Sequence, residues 1–427
     1  ISRRYMFFSL LLYVAVLAAV RFIYTEIYKH NIHNQKHLST IKMVKLRRML
    51  ALWAFVLMSL VSFAQENLVA KTSQGDEAAK EKFQFAVDKK LPATDVKNQA
   101  KSSTCWSYSG LSLIESEMLR MGKKPADLAE MFVVYKVYQD KADKYVRLHG
   151  NLTFAPGAEG SDVFDVIRKY GIVPQEVYEG LIPGETTNNH NEMDKKLAEY
   201  VKEVASSKVI RGDWKKGFDG ILDAYLGSLP HEFTYQGKKY TPRTFADKVV
   251  GINPGDYIYI TSWACEPYYE KIQLLVPDNW AWEKFYNIPL DDMIRTIDHA
   301  LDNGYTILWA ADVSEKGFSS KLGVGVVPQI EAEDMLDGPK PEKEITEQMR
   351  QQAFDDYTTQ DDHGMHIIGT AKDQNGKKYY LVKNSWGTER GRDGGMVYVS
   401  EAYVRYKTTS IILHKDGVPD DITKKLK

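Results

Sequence analysis

Four polar side chains in this sequence have the types and spacing that nucleophilic chemistry needs. Gln99 precedes Cys105 by six residues, His366 lies in the apolar run Gly364-Met365-His366-Ile367-Ile368, and Asn384 opens Asn384-Ser385-Trp386-Gly387. A thiolate attacks a carbonyl carbon, and a helix N-terminus and a nearby imidazolium both favour that anion. Cys105 follows the capping hydroxyls Ser102-Ser103-Thr104, so it is placed at a first helical turn, and His366 is expected to supply the imidazole. Asn384 would accept from the imidazole and fix its orientation. The Gln99 amide, beside the Cys105 backbone N–H, would complete a two-donor oxyanion hole. Trp386 would cover the His–Asn contact from water. A buried cysteine is most often a small hydrophobe, and a strand histidine is most often structural. The order and the six-residue gap together point to Cys–His catalysis. His363 is the rival histidine; the apolar Ile367-Ile368 flank selects His366.

Cys105 and Cys265 are the two cysteines of the 427 residues, so no disulfide framework and no Cys-rich metal site is expected. No cofactor is expected either, and Cys265 reads as a plain thiol. Composition is ordinary for a globular chain: 44% hydrophobic, 26% charged. The formal net charge of −1 hides an asymmetry. Residues 1–64 hold nine Lys/Arg and one acid, leaving 47 basic against 56 acidic residues beyond them, a net −9. A body that acidic has no general attraction to a phosphate backbone, so no nucleic-acid partner is expected.

Residues 1–64 read as an N-terminal extension and an address. Met43-Val44-Lys45-Leu46-Arg47-Arg48, an apolar stretch from Met49 to Ser59, and Ser62-Phe63-Ala64 make a secretory signal cut near Ala64-Gln65. The chain is therefore expected to be exported, with membrane attachment through an uncleaved N-terminal segment as the alternative. Residues 65–90 read as a polar arm or short helix without a core face.

The positioning elements follow from hydrophobic period. From Cys105 to Gly122, apolar residues repeat at three and four, a buried helix; Ala129–Leu148 and Val163–Tyr170 repeat the pattern. Residues 91–189 are thus a helical lobe with the nucleophile. Residues 190–296 read as a helical insertion with a Trp/Tyr-rich piece from Trp263 to Tyr286. Residues 297–427 switch to short strands: Thr306–Ala310, Gly364–Ala371, Tyr379–Lys383, Met396–Ser400 and Ser410–Leu413. The fold class is α+β. Between Gln329 and Asp362 lie eleven acids against three bases, read as a solvated helix face.

The motifs Gln99…Ser103-Thr104-Cys105-Trp106-Ser107-Tyr108-Ser109, Gly364-Met365-His366 and Asn384-Ser385-Trp386-Gly387 resemble those of the papain-like cysteine peptidases. The resemblance implies a two-lobed fold with the cleft between the lobes, Cys105 as nucleophile, His366 as acid/base, Asn384 as its orienter and Gln99 as oxyanion donor. It also implies Gly160 and Trp386 as substrate-side residues. The usual pattern has a disulfide cysteine and a glycine where Ser102 and Ser103 stand. Cys105 and His366 are 261 residues apart, about 110 more than papain-like enzymes require. That excess, with Pro289-Leu290-Asp291, Ala311-Asp312-Val313-Ser314 and Lys321-Leu322-Gly323, resembles the bleomycin hydrolase/aminopeptidase C branch. The branch implies peptide substrates, peptide trimming from the N-terminus, and scope for homo-oligomers. Its C-terminal arm reaches the active site. Here eight residues follow Pro419, which predicts a loose end and cleavage of N-acetylated peptides and internal bonds. Open-cleft endopeptidase, Cys–His amidase or acyl-transferase, and inactive papain-scaffold binding protein are the competing functions.

Overall fold

The computed structural model describes residues 82–182 and 184–427. The signal and the N-terminal extension lie outside them. The chain enters with β1 (Phe85–Lys90) and then α1 (Cys105–Arg120), α2 (Glu130–Arg147) and α3 (Ser161–Tyr170). Next come α4 (Asn191–Ser206), α5 (Trp214–Leu226), the hairpin β2 (Phe233–Tyr235) and β3 (Lys238–Tyr240), and α6 (Pro242–Phe245). Strands β4 (Tyr257–Thr261), β5 (Glu270–Gln273) and β6 (Lys284–Asn287) lead to α7 (Leu290–Asp302), β7 (Ile307–Ala311), β8 (Phe318–Ser319) and β9 (Val324–Gly325). The remainder is α8 (Glu347–Asp355), β10 (His363–Asp373), β11 (Lys378–Lys383), β12 (Met396–Ser400), α9 (Glu401–Lys407), β13 (Thr408–His414) and α10 (Asp420–Thr423).

One large sheet runs in the order β5-β6-β4-β13-β7-β10-β11-β12-β9-β8, with β1 also paired to β10. Most neighbours are antiparallel; β4–β6 and β9–β12 are parallel. The helices α1–α5 share one core, in which Leu111, Ile114, Phe132, Phe164, Leu197 and Phe218 are buried. A second core lies between the sheet and α7, with Trp309, Ile367, Val382, Ile411 and Ile297. The result is the α+β architecture expected.

Three expectations are corrected. Residues 85–90 are a strand, and Phe83 is buried among Val324, Ile368 and Tyr379, so this stretch does have a core face. The 190–296 stretch is not helical throughout: β4, β5 and β6 lie in its second half and extend the large sheet. Tyr257-Ile258-Tyr259-Ile260-Thr261 is made of residues that suit a pleated, half-buried surface, and it pairs with β13. The C-terminal residues are tied down: Ile422 is buried, Arg295 Nη2 donates to Asp421 at 2.7 Å, and Lys427 N–H donates to Tyr269 O at 2.9 Å.

Helix α1 is buried along nearly its whole length. Its buried acids are compensated: Glu117 pairs with Arg120, and Glu115 accepts from Lys97 at 3.1 Å and from Leu128 N–H at 3.0 Å. On the sheet side α1 meets β10 at Gly364. A Cβ there would stand 2.8 Å from Ser109 Oγ and 3.4 Å from Trp106 Cα. Gly364→Ala is expected to cost about 1–3 kcal/mol by overpacking. A lowered urea midpoint checks this, with peptide hydrolysis per folded molecule falling as the start of α1 shifts.

Candidate active site

Cys105 is the first residue of α1, so its side chain sits where the helix N–H groups point outward. The approach loop is bent by left-handed residues, Ala100 at φ +48° and Ser103 at φ +58°. Such a conformation costs an L-residue roughly 1–2 kcal/mol. It accounts for the glycine that the papain pattern has at the Ser103 position. Ser109 Oγ donates back to Cys105 O at 2.8 Å, and Trp106 Nε1 donates to Pro156 O at 3.1 Å, fixing the first turn.

Two strand ends meet this turn. Asn98 bridges Trp386, Gly387 N–H donates to Lys97 O at 3.1 Å, and Gln99 N–H donates to Ser385 O at 2.8 Å. The Ser385 hydroxyl donates to Gln99 Oε1 at 2.6 Å, so the Nε2 end of that amide remains as the donor. Lys97 anchors the same segment between Glu115, Asp127 and Glu130.

The imidazole beside Asn384 is that of His363, and the expectation for His366 is corrected. His363 Nε2 lies 2.8 Å from Asn384 Oδ1, and the Trp386 ring stacks on the imidazole at 4.4 Å and 28°. Side chains alternate along a strand, so an odd separation of three sends the two histidines to opposite faces. Gly364 and His366 face α1, where His366 Nδ1 meets Ser112 Oγ at 2.8 Å in a fully buried position. His363 emerges on the other side. The signal was available in the register: His366 pairs Lys383, so three residues back His363 comes level with Trp386.

The hydrogen bonds also assign the proton. Asn384 Oδ1 accepts from Ser385 N–H at 2.7 Å, which identifies that atom as the oxygen. An oxygen can only accept, so His363 Nε2 carries the hydrogen. Nδ1 is therefore the basic nitrogen, and it is buried with no hydrogen-bond partner. Cys105, His363, Gly364 and Gly160 line one narrow cavity of about 20 Å³. Burial pushes the Cys105 thiol up to about 12, against the opposing pull of the Gly364 backbone N–H. Burial likewise pushes His363 down to about 4, partly offset by the bond to Asn384. Burial holds His366 well below the ordinary range too, with Lys383 adding to it.

Gly160 sits at the start of α3 on the cavity wall, where a Cβ would lie 2.5 Å from Leu308 Cδ1. Trp386 backs the imidazole, stacked on it at 4.4 Å. Sequence reasoning also missed Glu159, Asp278, Asp361 and Asp362, all on the cavity wall. The last two end the acidic run read as a solvated face. Among the described residues, no group of three or more His, Cys, Asp or Glu is placed to hold a metal ion.

Iodoacetamide labelling separates the two histidines. His363→Ala is expected to slow alkylation of Cys105 by about 10²-fold or more, the scale of general-base assistance, leaving exposed Cys265 unchanged. His366→Ala should cost about 1–3 kcal/mol of stability by stranding Ser112, with Cys105 labelling retained in the folded protein.

The chain is similar to known peptidases. The Peptidase C1-like family profile matches residues 230–427. Aminopeptidase C of Streptococcus thermophilus is 21% identical over 380 residues, covering 78% of this chain and 83% of that protein. Mitochondrial cysteine proteinase 1 of Saccharomyces cerevisiae is 20% identical over 384 residues, covering 78% and 77%. The crystal structure of PepW from Lactobacillus rhamnosis superposes with a TM-score of 0.65 at 19% identity, covering 92% of this chain and 95% of that one.

Proposed function

We propose that this papain-like cysteine peptidase of the aminopeptidase C and bleomycin hydrolase branch cleaves peptide bonds with Cys105 as nucleophile and His363 as its acid/base partner. One observation carries the assignment. The free basic nitrogen of His363 shares a cavity with Cys105, while Asn384 holds the opposite N–H.

His363 Nδ1 takes the thiol proton as the sulfur attacks the peptide carbonyl, and the proton then goes from the imidazolium to the departing amine. In this reading Gln99 Nε2–H and the Cys105 backbone N–H bind the developing oxyanion. A water activated by the same imidazole releases the acyl group and restores the thiol. Asn384 never exchanges a proton; it preserves the tautomer on which every step depends.

Residues 420–427 pack against β5 and α7 and do not line the cavity. N-acetylated peptides should therefore be cleaved, at internal bonds as well as terminal ones. Digestion of free and acetylated peptides, read by mass spectrometry, checks this. Cys105→Ala should abolish cleavage, and Gln99→Ala should lower kcat by about 10²-fold with little change in KM. Transfer of the acyl group to an added amine, in place of hydrolysis, would favour the acyl-transferase alternative.

The chain is further proposed to be exported, on the strength of the basic start, apolar stretch and Ser62-Phe63-Ala64. Mass analysis of the mature protein should find its N-terminus at or near Gln65. A product still carrying Met43 would reverse this reading.

A further inference from the structure

The cavity that holds Cys105 and His363 is nearly shut. At about 20 Å³ it has room for a water and none for a peptide, and the two residues are 7% and 3% exposed. Its floor is buried, with Trp106, Ala158, Glu159, Gly160 and Leu308. Its solvent side is formed by Asp278, Ala310, Asp361 and Asp362, which are part-exposed. A carbonyl carbon approaches the Cys105 sulfur from that side, so whatever closes it decides access.

The residues at this mouth differ in how they are held. Asp362 accepts from Val313 N–H at 2.9 Å and Ser314 N–H at 3.1 Å, and Ala310 lies within β7, so both are fixed. Asp278 lies on the loop between β5 and β6. The base of that loop is firm: Asn279 Nδ2 donates to Leu274 O at 2.8 Å and to Glu283 O at 2.9 Å, and Trp280 Nε1 donates to Asp162 at 3.0 Å. Its tip, 275–278, is held lightly. Leu275 and Pro277 are exposed, and Asp278 N–H reaches across the mouth to Asp361 at 2.9 Å. The Asp278 carboxylate accepts no hydrogen bond among the described residues. It lies so close over Gly157 that a Cβ there would overlap both oxygens. Lys141, buried below and donating to Gly157 O at 2.5 Å, attracts it. Position and charge keep this side chain in the mouth, and both yield when the tip moves.

We propose that Asp278 is the gate of the catalytic cavity: its side chain closes the mouth, and the 275–278 tip must swing off Gly157 and Asp361 before a peptide reaches Cys105. The inference rests on the peptidase reading above and adds the step that controls access to its site. A binding-competent state that is only fractionally populated lowers apparent affinity by that fraction. The closed gate therefore holds peptide turnover below what the catalytic groups alone would give.

Two variants test the gate, each read by iodoacetamide labelling of Cys105 and by kcat/KM on one peptide. Asp278→Ala, at a part-exposed position, should raise both by about tenfold or more, the scale expected when a minor open state becomes the main one, with Cys265 labelling unchanged. Gly157→Cys with Asp278→Cys puts two thiols where a Cβ on Gly157 would meet the Asp278 side chain. Once oxidised, with the 157–278 bridge verified by peptide mapping, this protein should lose labelling and hydrolysis relative to wild type oxidised in parallel. Reductant should restore both. The bridge also removes the Asp278 charge, so the loss reports position and not charge. Labelling unchanged or slowed in Asp278→Ala, or a bridged protein as active as wild type, would overturn the gate while leaving the peptidase reading intact. Labelling that follows the gate, with no peptide cleaved by any form, would sustain the gate and overturn the peptidase reading.

Discussion

Because Gly364 has no Cβ, the first turn of α1 rests directly on the backbone of β10, with Ser109 and Trp106 in the space a side chain would fill. The close approach sets the distance between the Cys105 thiol, which begins the helix, and the imidazole, which begins the strand one residue earlier at His363. Every other contact at the cleft refines a spacing that this contact imposes. Asn384 and Gln99 reach the site only because β11 pairs with β10 and the 97–99 segment pairs with the end of β11.

The polar support behind this contact is half-buried, with Glu115 and Glu130 inside and Asp127 at the surface. Lys97 is shared among Glu115 on α1, Glu130 on α2 and Asp127 between them. Those carboxylates hold the lysine more firmly charged than usual, in opposition to the effect of burial. Removing one partner of such a group leaves an uncompensated charge, so the network specifies position strictly. It lies two residues from Gln99 and fixes where the amide enters the site.

Much of this was legible in the sequence. The helix opened by Cys105 and the strands around Asn384 follow from period and punctuation, and they fall within a few residues of α1, β10, β11 and β12. The choice between His363 and His366 was not settled by apolar flanks, because those flanks report burial and a buried histidine is a poor acid or base. Period-two alternation was the better guide. The strand at 85–90 and the sheet half of 190–296 were obscured for a different reason. Their partners, β10 and β13, lie more than a hundred residues away, and local pattern carries no record of them. The cavity carboxylates were hidden likewise, since Glu159, Asp278 and Asp361 become neighbours only through the fold.

The stacking of Trp386 on His363 has an electrostatic side. Against a neutral imidazole the indole only shields. In the proposed reaction the ring becomes an imidazolium, and the face of an indole attracts a cation, by about 0.5–2 kcal/mol as the site dries. The attraction exists only while the charge does. Trp386 thereby favours the charged state His363 passes through over the state in which it waits, a role a leucine of similar bulk could not fill.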